Sequence, residues 1–406
     1  MKVAAANDKD ALLFLNFNQN ASCISAGTHK GFAIYNCEPF KKCFQEEIGG
    51  IGIAEMLYCT SLVALVGAGE IPAFSPRRLR MWNTKSGEAI CDLNFVTAVL
   101  AVRMNNQRLV VILERTIHIF DIKSMKILQS LDTSPNPNAL CVLSPHDNSH
   151  LAFPSGALMG EIVLYDANNL SVLNAFQAHR TPPVAMTFNA DGTKLATASE
   201  TGTLIRVFDI PSGRKLAAFR RGSYPAFIYC LAFNEISTIL CASSDTGTIH
   251  FFSLNGTESS ASGSFGVFAP ITSTLASSRD ASDTSSTGKS TSTSVPPKTQ
   301  VWIKLWNRLE HIFHLHWLES QKEHEISHML GSEPFIARIR SNRVLNICAV
   351  HGPDEDNIVR LYVVTIDGYF YEYSMLLDVG GECKLKRENV LFETASEEIQ
   401  AVYLNN

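Results

Sequence analysis

Four consecutive residues, Phe219-Arg220-Arg221-Gly222, offer the most specific chemistry in the chain. Each guanidinium presents a planar fork of N–H donors that matches the oxygens of a phosphate group. On a strand, adjacent side chains point to opposite faces, so Arg220 and Arg221 project into two different grooves. His179, Thr197, Ser199, Gly202, Thr203 and Arg206 can line one groove, and Ser243, Ser244, Thr248 and His250 the other. Guanidinium groups for phosphate oxygens, with Ser and Thr hydroxyls for the remaining lone pairs, are what a phosphorylated inositol ring requires. Gly202 and Gly222 let backbone come close to a ligand. A plainer reading stands beside this one: two arginines on an outer strand also protect a sheet edge against aggregation.

Holding these side chains requires a scaffold of strands, and the sequence repeats as one. The clearest unit, VAMTFNADGTKLATASETGTLIRVFDIPSGRKLAAF, predicts four strands over 184–189, 194–199, 204–210 and 215–219. The turn strings Ala-Asp-Gly-Thr, Glu-Thr-Gly-Thr and Pro-Ser-Gly separate them, as antiparallel hairpins demand. The third strand ends in an aromatic and a small polar residue. That pair recurs as Tyr35-Asn36, Trp82-Asn83, Phe120-Asp121, Tyr165-Asp166, Phe208-Asp209, Phe252-Ser253 and Tyr373-Ser374. The aromatics are spaced 47, 38, 45, 43 and 44 residues apart, then 121 across a long insertion. Seven such units predict an all-β, seven-bladed, WD-repeat-like propeller with four antiparallel strands per blade, a single domain spanning 1–406. No long helical pattern outside the insertion supports an α/β fold. The first strand, near 12–16, is expected to help close the ring against the last unit.

The 406 residues are 46% apolar and 18% charged, enough for a large core and unlike a disordered or collagen-like chain. A net charge of −5 argues against coating nucleic acid by bulk charge. No apolar run is long enough to span a bilayer, and Asp8, Lys9 and Asp10 interrupt the start where a signal peptide would be apolar. The 10 cysteines include no C-x-x-C pair and read as reduced thiols of a cytosolic protein.

Between 257 and 299, 21 of 43 residues are Ser or Thr, a composition that cannot bury enough surface to order itself. Within it lie the apolar residues Phe265, Val267, Phe268, Ile271 and Leu275. The aromatic stretch VWIKLWNRLEHIFHLHWLES follows, either a displaced outer strand with a capping helix or a membrane-contacting segment. His311, His314 and His316 lack a Cys or carboxylate at ligand spacing, so no metal is expected. No P-loop, G-x-S-x-G, H-E-x-x-H or Cys/His nucleophile pair is present, and the chain is read as a non-enzyme without cofactor. Arg77, Arg78, Arg80, Arg103 and Arg108 make units two and three locally basic, either a solvated rim or a docking groove for acidic segments.

At these strings the sequence resembles the PROPPINs, the WIPI-type autophagy propellers. Their F/L-R-R-G hallmark stands at 219–222, between ATASETGTLIRVF (196–208) and CASSDTGTIH (241–250). LNFNQ (15–19), SPRRL (75–79), NQRLVV (106–111), AHRTP (178–182) and GGEC (380–383) match as well. The resemblance implies binding of phosphatidylinositol 3-phosphate and phosphatidylinositol 3,5-bisphosphate. A first pocket would use His179, Thr197, Ser199, Gly202, Thr203, Arg206 and Arg220; a second, Arg221, Gly222, Ser244, Thr248 and His250. It implies that the blade-six loop, 257–299, inserts Phe265, Val267, Phe268 and Ile271 into the bilayer. It favours Arg77, Arg78 and Arg108 as a partner-binding rim for an autophagy lipid-transfer protein or the conjugation machinery. The chain is then expected to be a cytoplasmic monomer, peripheral on preautophagosomal, endosomal or vacuolar membranes, with no nucleic-acid partner. The rival expectation is a protein–protein scaffold in endolysosomal trafficking with no direct need for lipid.

Overall fold

A computed structural model describes residues 12–254, 335–340 and 344–392. Seven antiparallel blades form a closed ring: 12–46, 51–94, 101–132, 142–177, 183–220, 228–253 with 335–340, and 346–390. No helix occurs among the described residues. The inner strands are the most buried, as in LVALVG (Leu62–Gly67) and ILCASS (Ile239–Ser244), because neighbouring blades cover both of their faces. The fourth, outer strand alternates, as in Glu88–Asn94, where one face turns to water.

The recurring aromatic has a structural cause. In all seven blades the pairing of third and fourth strands shifts register at that residue: Tyr35, Trp82, Phe120, Tyr165, Phe208, Phe252 and Tyr373. A bulge bends the outer strand and re-aims the side chain, here into the packing between blades. Phe208 and Phe252 are both at most 4% exposed.

Ring closure is achieved by side chains. The strand Leu12–Phe17 pairs with Cys23–Thr28 inside blade one, and blade seven supplies its own four strands. Leu12, Leu15 and Phe17 pack with Ile24 and Tyr35 against Tyr362, Phe370 and Leu391 of the last blade, as the closure expectation required, but without shared strand pairing. Tyr35 donates its hydroxyl hydrogen to the carbonyl of Leu391, and Arg360 pairs with Glu38 at 2.8 Å. Buried asparagines also tie blades together. Asn105 Nδ2 donates to the Ser144 carbonyl at 3.0 Å, Asn189 Nδ2 to Ser237 Oγ at 2.9 Å, and Asn234 Nδ2 to the Gly352 carbonyl at 2.6 Å.

Blade five matches the predicted strands to within two residues: Pro183–Phe188, Lys194–Ser199, Leu204–Asp209 and Lys215–Arg220. Blade six takes its outer strand, Phe335–Arg340, from beyond the insertion. Gly381–Glu382 then adds a fifth, parallel strand outside it. The outer edge of blade six is thus covered by the connection from blade seven, a device that leaves fewer unpaired edge groups.

Candidate functional site: two grooves beside blade five

The two faces of blade five are told apart by register. Thr197 lies opposite Arg206, and Arg206 opposite Ala218, so Thr197, Ser199, Arg206 and Arg220 share one face. Ala196, Ala198, Ile205, Val207 and Phe219 share the other and pack against Leu240, Ala242 and Phe252 of blade six. Phe219 stacks on Phe252 at 4.9 Å. That buried ring pins the strand, so Arg220 faces blade four while Arg221 turns toward blade six.

The first groove holds a cavity of about 330 Å³ lined by Gln177, His179, Arg180, Arg206, Phe208 and Lys215 among others; Thr197, Ser199, Thr203 and Arg220 lie outside that lining. Arg206 Nη1 donates to the Ala178 carbonyl at 2.8 Å and meets His179 Nδ1 at 2.9 Å. The other ring nitrogen, Nε2, meets Thr197 Oγ1 at 2.8 Å. Since a guanidinium can only donate, His179 Nδ1 accepts, and the Nε2–H donates to Thr197. Burial and the neighbouring Arg206 charge depress the imidazole pKa to about 3. His179 and Thr197 are 3% and 0% exposed. Their hydrogen bonds hold Arg206 in place and leave little of either side chain exposed. Ser199 Oγ is 3.1 Å from Thr201 Oγ1, Thr203 is half-buried, and Arg220 is half-buried on the same face.

The second groove centres on Arg221, which is 8% exposed. Its Nε donates to the Gly202 carbonyl at 2.7 Å, Nη2 to the Tyr224 carbonyl at 2.5 Å and Nη1 to Thr246 Oγ1 at 3.4 Å. Burial lowers its pKa, and the Asp245 carboxylate opposes that shift. Ser244 Oγ meets Thr246 Oγ1 at 2.9 Å. His250, beside Thr248 on the facing blade, has its pKa pushed down to about 4 by burial, then by Arg221 and Arg338. Both imidazoles are therefore neutral at pH 7. The positive charge of the grooves comes from guanidinium groups and Lys215.

Two expectations from the sequence are corrected here. Ser243 does not line the second groove: it alternates with Ala242 and Ser244 and faces blade seven, with Cys241 in the core that includes Cys348. Gly202 is needed by the fold itself. Its φ is +58°, and a Cβ there would stand 1.9 Å from the Ala226 carbonyl oxygen, so the close approach is made by the chain's own backbone. Around Gly222 a Cβ would meet nothing within 4 Å.

Sequence reasoning missed Arg180, Lys215 and Arg338. Arg180 was legible beside His179. Arg338 lies opposite His250 on the outer strand of blade six and is exposed, but the insertion hides this pairing from sequence.

The basic residues of blades two and three are dispersed. Arg80 makes a two-pronged pair with Asp92 at 2.7 and 2.8 Å, and Arg78 reaches the same carboxylate at 3.4 Å. Arg103 Nε and Arg108 Nε donate to the Cys141 and Ala167 carbonyls at 3.2 and 2.7 Å, bracing blade three against blade four. Arg77 is exposed. Phe265, Val267, Phe268, Ile271, the rest of 257–299 and the histidines of 311–316 lie outside the described residues.

Fold and site define the class first: a seven-bladed β-propeller carrying two arginine-containing grooves on either side of one blade. The chain belongs to the PROPPIN family, whose family model matches residues 11–270. It is 38% identical over 420 residues to Autophagy-related protein 18 of Yarrowia lipolytica, covering 95% of this chain and 97% of the relative. The Dictyostelium discoideum protein of the same name is 38% identical over 379 residues, 93% of each. Among solved structures, the complex of KlAtg21 with the coiled-coil of AgAtg16 superposes with a TM-score of 0.67 at 26% identity, covering 94% of this chain and 100% of that one. Kluyveromyces lactis Hsv2, at 19% identity and a TM-score of 0.65, shares the fold over 94% of this chain and 100% of its own.

Proposed function

We propose that this propeller is a non-catalytic, peripheral-membrane effector. It binds phosphatidylinositol 3-phosphate and phosphatidylinositol 3,5-bisphosphate through the two grooves and recruits autophagy machinery to forming autophagosomes. One observation carries the reading: adjacent arginines at the end of one outer strand turn to opposite sides of blade five, Arg220 on the face of Arg206 and Ser199, Arg221 toward Ser244, Thr248 and Arg338 of blade six. A charge-assisted hydrogen bond contributes roughly 1.5–3 kcal/mol net, so one head group held by a few of them binds at about micromolar strength. Two grooves on one rim multiply that by effective concentration, which makes stable recruitment depend on a high density of 3-phosphorylated lipid. Family membership and relatives named for autophagy support the cellular role. A partner from the conjugation machinery fits the neighbour solved with the Atg16 coiled-coil. A lipid-transfer partner, and Arg77, Arg78 and Arg108 as its docking rim, remain part of the same proposal. So does residence on preautophagosomal, endosomal or vacuolar membranes.

The test is flotation with liposomes carrying each phosphoinositide in turn. Wild type is compared with Arg220→Thr/Arg221→Thr, and with Arg220→Thr alone, because Arg221 also holds the fold. Binding to 3-phosphorylated lipids that both changes weaken is the expected result. Equal flotation of all three proteins rejects the grooves, and no flotation at all leaves a protein-only scaffold.

A further inference from the structure

The turn between the second and third strands of blade four, SGALMG (155–160), presents Leu158 and Met159 at 60% and 66% exposure. It is pinned at both ends. Ser155 N–H donates to the Glu161 carbonyl at 3.1 Å, and the Gly160 carbonyl accepts from Ala178 and His179 N–H at 3.0 and 3.1 Å. Gln177, which lines the first groove, donates its side-chain amide to the Met159 carbonyl. Gly160, at φ +79°, could not carry a side chain, since a Cβ would sit 2.0 Å from the His179 carbonyl oxygen. The apolar pair is thus held against the mouth of the first groove by backbone bonds to the segment that carries His179 and Arg180.

Tyr224, 82% exposed, lies beside the second groove in the connection from blade five to blade six, its carbonyl bonded to Arg221. In a four-stranded up-and-down blade, the turn after strand two and the connection after strand four lie on the same face of the ring. Leu158, Met159 and Tyr224 therefore emerge on one face of the ring, the face at which the outer strand of blade five ends with Arg220 and Arg221 follows. The insertion that follows Leu254 leaves between the third and fourth strands of blade six, on the opposite face.

We infer that Leu158 and Met159, assisted by Tyr224, form a shallow membrane anchor built into the rigid propeller, separate from the insertion. The inference rests on the phosphoinositide reading above and adds a second apolar contact to it. Exposed apolar side chains rimmed by cations match the boundary between an anionic head-group layer and the acyl chains. A tyrosine suits that boundary because its ring is apolar and its hydroxyl wet.

The experiment compares wild type with Leu158→Ser/Met159→Ser in two assays on the full chain. Calorimetric titration with soluble inositol 1,3-bisphosphate reads the groove alone, and co-sedimentation with phosphatidylcholine vesicles containing phosphatidylinositol 3-phosphate reads groove plus anchor. The variant is expected to keep head-group affinity and to bind vesicles about tenfold more weakly, as loss of partial burial of two such side chains implies. A tryptophan placed by Leu158→Trp should shift its emission to the blue on vesicles and be quenched by brominated acyl chains. Unchanged vesicle binding with an unshifted tryptophan overturns the anchor while leaving the groove reading intact. Equal losses in both assays overturn it by placing the pair inside the head-group site. If wild type binds neither probe, the phosphoinositide reading itself falls, and the anchor with it.

Discussion

Acidification should destabilise this propeller through two buried imidazoles. His179 and His250 are neutral in the folded protein, with pKa values near 3 and 4, because burial and adjacent guanidinium groups oppose their protonation. In the unfolded chain each titrates near 6.5. Above that pH both states are neutral and the shift contributes nothing to the pH dependence. Below it the unfolded chain takes up protons that the folded chain refuses, so stability falls as pH drops from about 6.5 toward about 4 for His250 and about 3 for His179. At pH 5 the linkage amounts to about 2 kcal/mol for His179 and, discounted for partial solvation, about 1 kcal/mol for His250. Unfolding entropy of about 2.1 cal/mol/K per residue over the roughly 300 described residues converts the sum to a fall of about 5 °C in Tm. The assay is thermal unfolding of wild type and His179→Gln/His250→Gln at pH 7 and pH 5. The amide can keep the neutral hydrogen-bonding pattern and cannot titrate, so the variant's drop should be smaller by that amount. Equal drops in the two proteins, or an NMR titration placing either imidazole near pH 6.5, would refute the reasoning.

Other perturbations separate structure from binding. Arg221→Ala should lower stability by about 2 kcal/mol in denaturant titration, since the buried Gly202 carbonyl loses its charged donor and the Tyr224 carbonyl loses one as well. Arg220→Ala, at a half-buried position, should stay within about 0.5 kcal/mol of wild type in the same titration, and a larger loss would mean that it too braces the blade. Gly202→Ala should cost about 2 kcal/mol or more, because a positive φ and a Cβ at 1.9 Å from Ala226 cannot both be relieved; an unshifted Tm would contradict this. Phe219→Ala should cost about 3–5 kcal/mol by removing a ring that is 1% exposed and stacked on Phe252. A small loss would show that blades five and six are held by other contacts.

Local sequence determined the repeat, the seven blades and the strands of blade five. Those depend on turns and on two-residue alternation, which are written within a few residues of each other. It also determined that Arg220 and Arg221 diverge, because adjacent side chains on a strand point to opposite faces. Tertiary structure alone decided what each residue meets. Ser243 and Ser244 look equivalent in sequence, yet one faces blade seven and the other blade five, since register across three blades sets the face. His179 looked like a lone ligand group, and the structure bonds it to Thr197 and Arg206, because its partners come from the next blade. Arg338 joins His250 only after the chain returns from the insertion. Arg78 and Arg80 looked like a basic patch, and both share the single carboxylate of Asp92 on the adjoining strand, which offsets half of their charge. Periodicity is a property of neighbours along the chain. Charge, burial and hydrogen bonding are properties of neighbours in space, and in a ring of blades those neighbours come from other repeats.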